Sequence, residues 1–194
     1  MKIAKIVLFY FVSFTWGLIM SLIGSVVCLG LVITGHKPKL FHHIVYFEIG
    51  ENWGGVELGP FFLCCKGSGL HTKQHECGHG IQNTWFGPLM PFIVCLPSAT
   101  RYWLREQDTQ ASKKKFSYVL CGSVGILALL LCLVPLLTHI YAWFIVPAFV
   151  LLYDVIMLLW LLFIEIPKYE VKYPSYDSIW FEGQATRLGE KYFN

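Results

Sequence analysis

Two histidines four residues apart, His75 and His79, are the residues of this sequence best placed to do chemistry. In an α-helix this spacing puts both imidazoles on one face, one turn apart, where they can bind the same metal ion. Glu76 follows the first histidine, so its carboxylate lies beside the open coordination position and can take a proton from water that the metal activates. Residues 71–85 contain no proline, which favours a helix there. The alternative is a surface helix whose histidines bind nothing.

Catalytic zinc sites use three protein ligands and leave the fourth position to water. The two histidines therefore need one more ligand from elsewhere in the chain. The acidic candidates in the polar segments are Glu106, Asp108, Glu170, Asp177, Glu182 and Glu190. Glu182 is favoured because it lies in a stretch, 176–190, whose apolar residues are spaced for one face of a helix. The vicinal pair Cys64 and Cys65 has no second cysteine pair at zinc-finger spacing, which predicts packing rather than metal binding.

The composition indicates that the chain contains membrane spans. The chain has 194 residues, of which 56% are hydrophobic and 14% charged, whereas a soluble domain has about a quarter charged residues. The net charge of +3 is too small to indicate nucleic-acid binding. Seven irregularly spaced cysteines predict reduced thiols rather than a disulfide framework.

Two long apolar blocks predict three transmembrane helices. Residues 6–35 contain no charge and are too long for the apolar part of a signal peptide, so we expect a true span. The second block is long enough for two spans, 117–137 and 141–164, joined by a tight turn. Its one acid, Asp154, lies inside the second of them, where an ionisable group is either functional or bonded to a neighbouring helix.

The remaining segments predict the rest of one domain that covers residues 1–194. Three prolines interrupt 86–104, which favours a re-entrant or interfacial segment over a clean span. Two short apolar runs on either side of residues 51–55 predict a β-hairpin over 41–65. The expected fold is therefore a mainly α-helical membrane protein with about three spans and a small α+β zinc domain.

The site residues also resemble a known family. His75–His79 followed by Glu182-Gly183-Gln184-Ala185-Thr186 resembles the gluzincin pattern, in which HExxH precedes a helix with Glu-x-x-Ala-Asp. This pattern is found in membrane metallopeptidases of the heat-shock and CAAX-prenyl-protease type and in minimal gluzincins. Further matching segments, at 51–61, 75–82, 86–89 and 96–98, are similar to small bacterial membrane proteins that read HE[YF]GHTIQ, GPL and GLPS. The likeness covers about residues 50–105 and 176–190.

The resemblance implies a membrane-bound zinc metallopeptidase in which His75, His79 and Glu182 bind Zn²⁺ and Glu76 is the general base. The family's aspartate in the second helix is Thr186 here. That acid bonds a ligand histidine, and such contacts are worth about 10–100-fold in affinity or activity. A catalytically weakened or inactive zinc-binding scaffold is therefore the alternative. Candidates for stabilising the transition state are Tyr173, Tyr176, Arg187 and His71.

The metal site also constrains the topology. His75 and Glu182 can share an ion only if they lie on one side of the membrane, so the segment 86–104 is expected not to cross. Three spans then place every Lys and Arg except Lys2 and Lys5 on the side of the site, which by the positive-inside rule is the cytoplasmic face of a bacterial inner membrane. The expected partners are the lipid bilayer and a peptide or membrane-protein substrate, which could pair with residues 56–65 as an added strand. A zinc hydrolase acting on a lipid or other membrane-proximal amide is a third hypothesis.

Overall fold

A computed structural model of the chain describes residues 3–171 and 173–194. These residues form two compact units, Met1–Leu96 with Ser175–Asn194, and Pro97–Pro174. The helices are α1 (Ile3–Thr15), α2 (Leu18–Ile33), α3 (Leu70–Phe86), α4 (Leu96–Arg105), α5 (Gln110–Leu131), α6 (Leu133–Thr138), α7 (Ile145–Trp160), α8 (Ile166–Val171) and α9 (Trp180–Tyr192). The expectation of a mainly helical protein with a small sheet is confirmed.

The sheet has four short strands in the order β1-β2-β4-β3. The strands are β1 (Lys39–Phe41), β2 (Ile44–Glu48), β3 (Gly55–Glu57) and β4 (Phe61–Cys64). Strands β1 and β2 are antiparallel, as are β3 and β4, but β2 and β4 run parallel. The predicted single hairpin over 41–65 is therefore wrong. Turns at His42 and Gly59, both with positive φ, fold each apolar run back separately, and the connection through residues 49–54 brings the two pairs together in parallel.

Aromatic packing joins this sheet to the elements that carry the predicted site. Tyr46 of β2 stacks on Phe62 of β4 with ring centroids 4.8 Å apart. Cys77 of α3 and Phe193 after α9 are buried in the same cluster, together with Phe9 of α1. Burying each such aromatic side chain contributes about 1.5–3 kcal/mol. Helix α3 and the residues after α9 thus pack on one face of the sheet.

The first predicted span is two helices, not one. Helices α1 and α2 meet at an angle of 94°, because Gly17, which lies between them, packs against Asn83 of α3. A side chain at Gly17 would overlap the Asn83 amide, and the Gly17 carbonyl accepts a hydrogen bond from Asn83 Nδ2 at 3.4 Å. The Ser21 hydroxyl donates to the Ser13 carbonyl across the bend at 2.6 Å. The prediction of a continuous helix over 6–35 is therefore wrong.

The second unit contains the two other predicted spans. Gln110–Thr138 and Tyr141–Glu170 are helical segments of 29 and 30 residues that are long and apolar enough to cross a membrane. They contain the predicted spans 117–137 and 141–164. Asp154 lies near the thiol of Cys121 on the facing helix. The expectation that it is functional or bonded to a neighbouring helix stays a prediction.

The segment predicted to be re-entrant or interfacial consists of short helical pieces. A 3₁₀ turn at Gly87–Leu89 and a π-helical turn at Pro91–Cys95 precede α4, which has 10 residues. No helix within the described residues 86–104 is long enough to span a bilayer. Its position in a membrane stays a prediction.

Candidate metal centre

The site is built where α3 and α9 cross at very close range. Gly78 of α3 faces the carbonyl of Ala185, and a Cβ at Gly78 would overlap that oxygen. Gly189 of α9 meets the carbonyl of Gln74 in the same way. Glycine at both positions lets the two backbones touch, which brings the side chains of one helix within reach of the other.

The three predicted ligands converge at this crossing. His75 Nε2, His79 Nε2 and Glu182 Oε2 are each 3.1 Å from the other two atoms, and all three side chains are buried. In a tetrahedral zinc site with bonds of about 2.05 Å, ligand atoms are about 3.3 Å apart. The triangle therefore has the size that such an ion requires, and two imidazoles with one carboxylate are a donor set that catalytic zinc sites use.

This trio is the only group of three or more metal-ligating side chains found within residues 3–171 and 173–194. The other acidic candidates are not part of it, namely Glu106, Asp108, Glu170, Asp177 and Glu190. Cys64 and Cys65 are not part of it either; the Cys65 thiol lies 3.1 Å from the Ser68 hydroxyl. All seven cysteines are free thiols, as expected.

Gln82 orients one ligand ring and was not predicted from the sequence. Its side-chain oxygen lies 2.8 Å from His79 Nδ1, while its nitrogen donates to the Phe181 carbonyl at 2.8 Å and to Gln184 Oε1 at 2.9 Å. Since a backbone carbonyl only accepts, the Gln82 nitrogen must face it and the oxygen must face His79. A neutral His79 ring therefore carries its hydrogen on Nδ1, which leaves the Nε2 lone pair for a metal ion. The i, i+3 spacing from His79 is the signal that could have identified Gln82.

Thr186 performs the corresponding task for the other histidine. Its hydroxyl lies 2.8 Å from His75 Nδ1. His75 therefore has a neutral hydrogen-bonding partner on α9. Both ligand rings are thus held by uncharged groups, Thr186 for His75 and Gln82 for His79.

Glu76 is buried against the sheet. A Cβ at Gly55 of β3 would lie 2.6 Å from Glu76 Oε1, so glycine at residue 55 leaves room for the carboxyl group. Burial raises the pKa of Glu76, the positive charges of His79 and His75 lower it, and the charge of Glu182 raises it further. The result is a raised pKa, which suits a group that must both take up and release a proton.

Two further buried groups near the site, His79 and Glu57, have raised pKa values. Burial lowers the pKa of His79, but the hydrogen bond and the charge of Glu182, together with smaller effects of Glu76 and Gln82, raise that pKa to about 9. A second buried acid, Glu57 of β3, has its pKa raised by burial to about 8, although His79 and the Gly59 backbone N–H act to lower it. Glu57 was not predicted as a site residue from the sequence. The one signal for it is that it is a single acid within an apolar run.

Two of the four candidates for transition-state stabilisation lie near a ligand. The Tyr176 ring is 6.0 Å from the His75 ring, and the exposed His71 ring is 6.4 Å from it. Tyr173 belongs to the other unit, where its ring lies 4.7 Å from the Arg105 guanidinium. Arg187 lies near Gly183 in α9. Tyr176 and His71 are thus the two candidates whose rings lie near His75, and Arg187 lies near the residue that follows Glu182.

No protein-family model, curated protein or solved structure matches this chain.

Proposed function

We propose that this protein is a membrane-bound zinc metallopeptidase that hydrolyses peptide bonds. His75, His79 and Glu182 bind the zinc ion in this proposal, and Glu76 is the general base. The observation that carries it is the buried triangle of three ligand atoms, 3.1 Å apart, with a fourth buried side chain, the carboxyl group of Glu76, next to His75 in sequence. This is the arrangement of zinc hydrolases, in which three side chains hold the ion and one acid moves protons.

When bound, zinc supplies a Lewis acid that polarises a carbonyl group and lowers the pKa of water. Glu76 accepts the proton of the attacking water and then donates it to the amine that leaves. The raised pKa of Glu76 supports both halves of this transfer. Thr186 and Gln82 keep the ligand rings in place, and Tyr176 and His71 are the side chains available to contact the reacting carbonyl.

The sheet favours a peptide as the substrate. Strand β3 is at one edge of the sheet, and its first residue, Gly55, packs on the proposed general base. An edge strand offers backbone N–H and C=O groups to an extended peptide, which would bind as a further strand beside Glu76. This arrangement supports peptide hydrolysis over hydrolysis of a lipid amide, which has no extended backbone to pair.

Metal content and cleavage separate the metallopeptidase from its alternatives. Purified protein is expected to contain one zinc ion per chain, and Glu182→Ala is expected to lose it, whereas Glu190→Ala, an exposed acid on the same helix, retains it. Glu76→Gln should keep zinc but lose about 10²–10⁴-fold in peptide cleavage, while the exposed control Glu51→Gln cleaves normally. Bound zinc without cleavage of any peptide by the native protein would indicate the scaffold. Equal zinc in the native and Glu182→Ala proteins would refute the site.

A further inference from the structure

The outer faces of α1 and α2 are apolar and exposed, which is unfavourable for surfaces in contact with water. Helix α2 turns one face inward, with buried residues at Met20, Ser21, Gly24 and Cys28, and Gly24 lies against the Leu58 carbonyl. Helix α1 turns Phe9 and Ser13 inward. Their other faces expose large apolar side chains, and residues 6–35 contain no charge. A continuous apolar surface of this extent on two helices fits the acyl chains of a bilayer.

The shape of this helix pair does not suit a crossing. Helix α1 is about 20 Å long and α2 about 24 Å, whereas the hydrocarbon core is about 30 Å thick. At an angle of 94°, the pair would cross only if the two helices tilted by about 40–50° from the bilayer normal, outside the usual range of 0–40°. The bend can lie within the lipid, because the backbone carbonyls freed there have hydrogen-bond donors. Asn83 donates to the Gly17 carbonyl, and Ser21 donates to the Ser13 carbonyl.

The bend is part of an apolar tip that also contains the end of the motif helix. Trp16 at the bend donates from Nε1 to the Trp85 carbonyl at 3.2 Å and lies against Gly87. Trp16, Trp85 and Leu89 are 53%, 51% and 51% exposed. The other end of α3 begins at the exposed Leu70 and continues with the polar residues His71, Thr72 and Lys73. Helix α3 thus runs from a polar end to an apolar end, with His79 about 10 Å from the latter.

Charge decides the direction in which the pair leaves the membrane. A crossing would put Lys2 and Lys5 alone on the side opposite every other Lys and Arg of the chain, if the two segments of the second unit form a hairpin. A return to the starting side would place them with Lys37 and Lys39, which follow α2. The positive-inside rule favours the return.

We propose that the α1–α2 bend, with Trp16, Trp85 and Leu89, inserts into one leaflet and returns without crossing, so that residues 5 and 37 lie on the same side of the membrane. This topology does not depend on metal binding. It also places the His75–Glu182 centre at the level of the lipid headgroups. If the proposed peptidase function holds, the substrate class that follows is a peptide segment lying next to the membrane.

Epitope tags test the topology. Uncharged tags are placed at the N-terminus, at the C-terminus and after His139 in the full chain, and protease is added to sealed vesicles of each orientation. We expect the N- and C-terminal tags to be cleaved from the same side and the His139 tag from the opposite side. An N-terminal tag cleaved together with the His139 tag would overturn the proposal.

Photocrosslinking tests the insertion. Benzoylphenylalanine at Trp16 or Leu89 is expected to crosslink to phospholipid, and the same group at the exposed residues Glu51 or Glu190 is not. Absence of lipid crosslinks at both Trp16 and Leu89 would overturn the proposal. Both measurements are repeated on Glu182→Ala, where an unchanged topology with lost zinc separates this inference from the proposed function.

Discussion

The side chain of Gln82 offers the sharpest test of how the ligands are positioned. It is fully buried and makes three hydrogen bonds, to His79 Nδ1, the Phe181 carbonyl and Gln184 Oε1. Gln82→Leu keeps a similar volume but leaves the His79 N–H and the Phe181 carbonyl without partners. Each buried group left unpaired costs about 1–3 kcal/mol, so the free energy of unfolding should fall by about 2–6 kcal/mol.

The same change should weaken zinc binding, because the His79 ring is no longer held with its Nε2 atom facing the point between His75 Nε2 and Glu182 Oε2. The loss of such a support is worth about 10–100-fold in metal affinity. The assay is competition for zinc with a chromophoric chelator in detergent, and ¹⁵N NMR of His79 reports which ring nitrogen carries the hydrogen.

Gln74→Leu is the matched control. Gln74 is a buried glutamine on the same helix, but its nitrogen donates to the Phe193 carbonyl at 3.1 Å and not to a ligand ring. It should lower the thermal midpoint and leave zinc affinity within about twofold of the native value, well inside the tenfold minimum expected of Gln82→Leu. Equal zinc affinity in the native and Gln82→Leu proteins, with unchanged His79 ¹⁵N shifts, would refute the positioning role.

Two further changes test the packing around the site, and a third tests how stability depends on pH. Gly78→Ala should separate α3 from α9, lower the thermal midpoint and abolish zinc binding, whereas Gly30→Ala, where a Cβ meets nothing within 4 Å, should change neither quantity. Gly55→Ala should displace Glu76 and reduce peptide cleavage at least about tenfold while zinc content stays the same; retained cleavage would contradict the contact. Burial, and to a lesser extent His42, lowers the pKa of His43, so the unfolded chain takes up a proton before the folded one. Its contribution to stability is therefore present above about pH 6.5 and lost as the pH falls below it, and the thermal midpoint of His43→Gln should fall less between pH 7 and pH 5 than that of the native protein.

The ligand trio could be predicted from the sequence because its signals are local. The spacing of His75 and His79 fixes their shared face once the segment is helical, and Glu182 lies in a segment with its own helical periodicity. What periodicity could not supply is the distance between the two helices. That distance depends on Gly78 and Gly189, because each faces the backbone of the other helix. Nothing in the sequence around either glycine indicates which backbone it faces.

The sheet and the first apolar segment show the opposite case. The apolar runs around residues 41–65 indicated strands, but the parallel pairing of β2 with β4 depends on the path of the chain between them, which alternation of apolar residues does not encode. Likewise, hydropathy over 6–35 is uniform, and the 94° bend arises from a contact between Gly17 and Asn83, residues far apart in sequence. Gln82 and Glu57 were missed for the same reason, since their importance comes from their neighbours in space.

The backbone contacts at Gly78 and Gly189 bear on how the protein matures. They hold α3 against α9 through glycine and carbonyl groups, none of which is a metal ligand, so the geometry of the three ligands follows from folding alone. Small zinc domains, in contrast, are unfolded until they bind their ion. If His75, His79 and Glu182 bind zinc as proposed, the chain can therefore fold first and take up the metal afterwards. The supply of metal, rather than the success of folding, would then set the fraction of the protein in a cell that carries zinc.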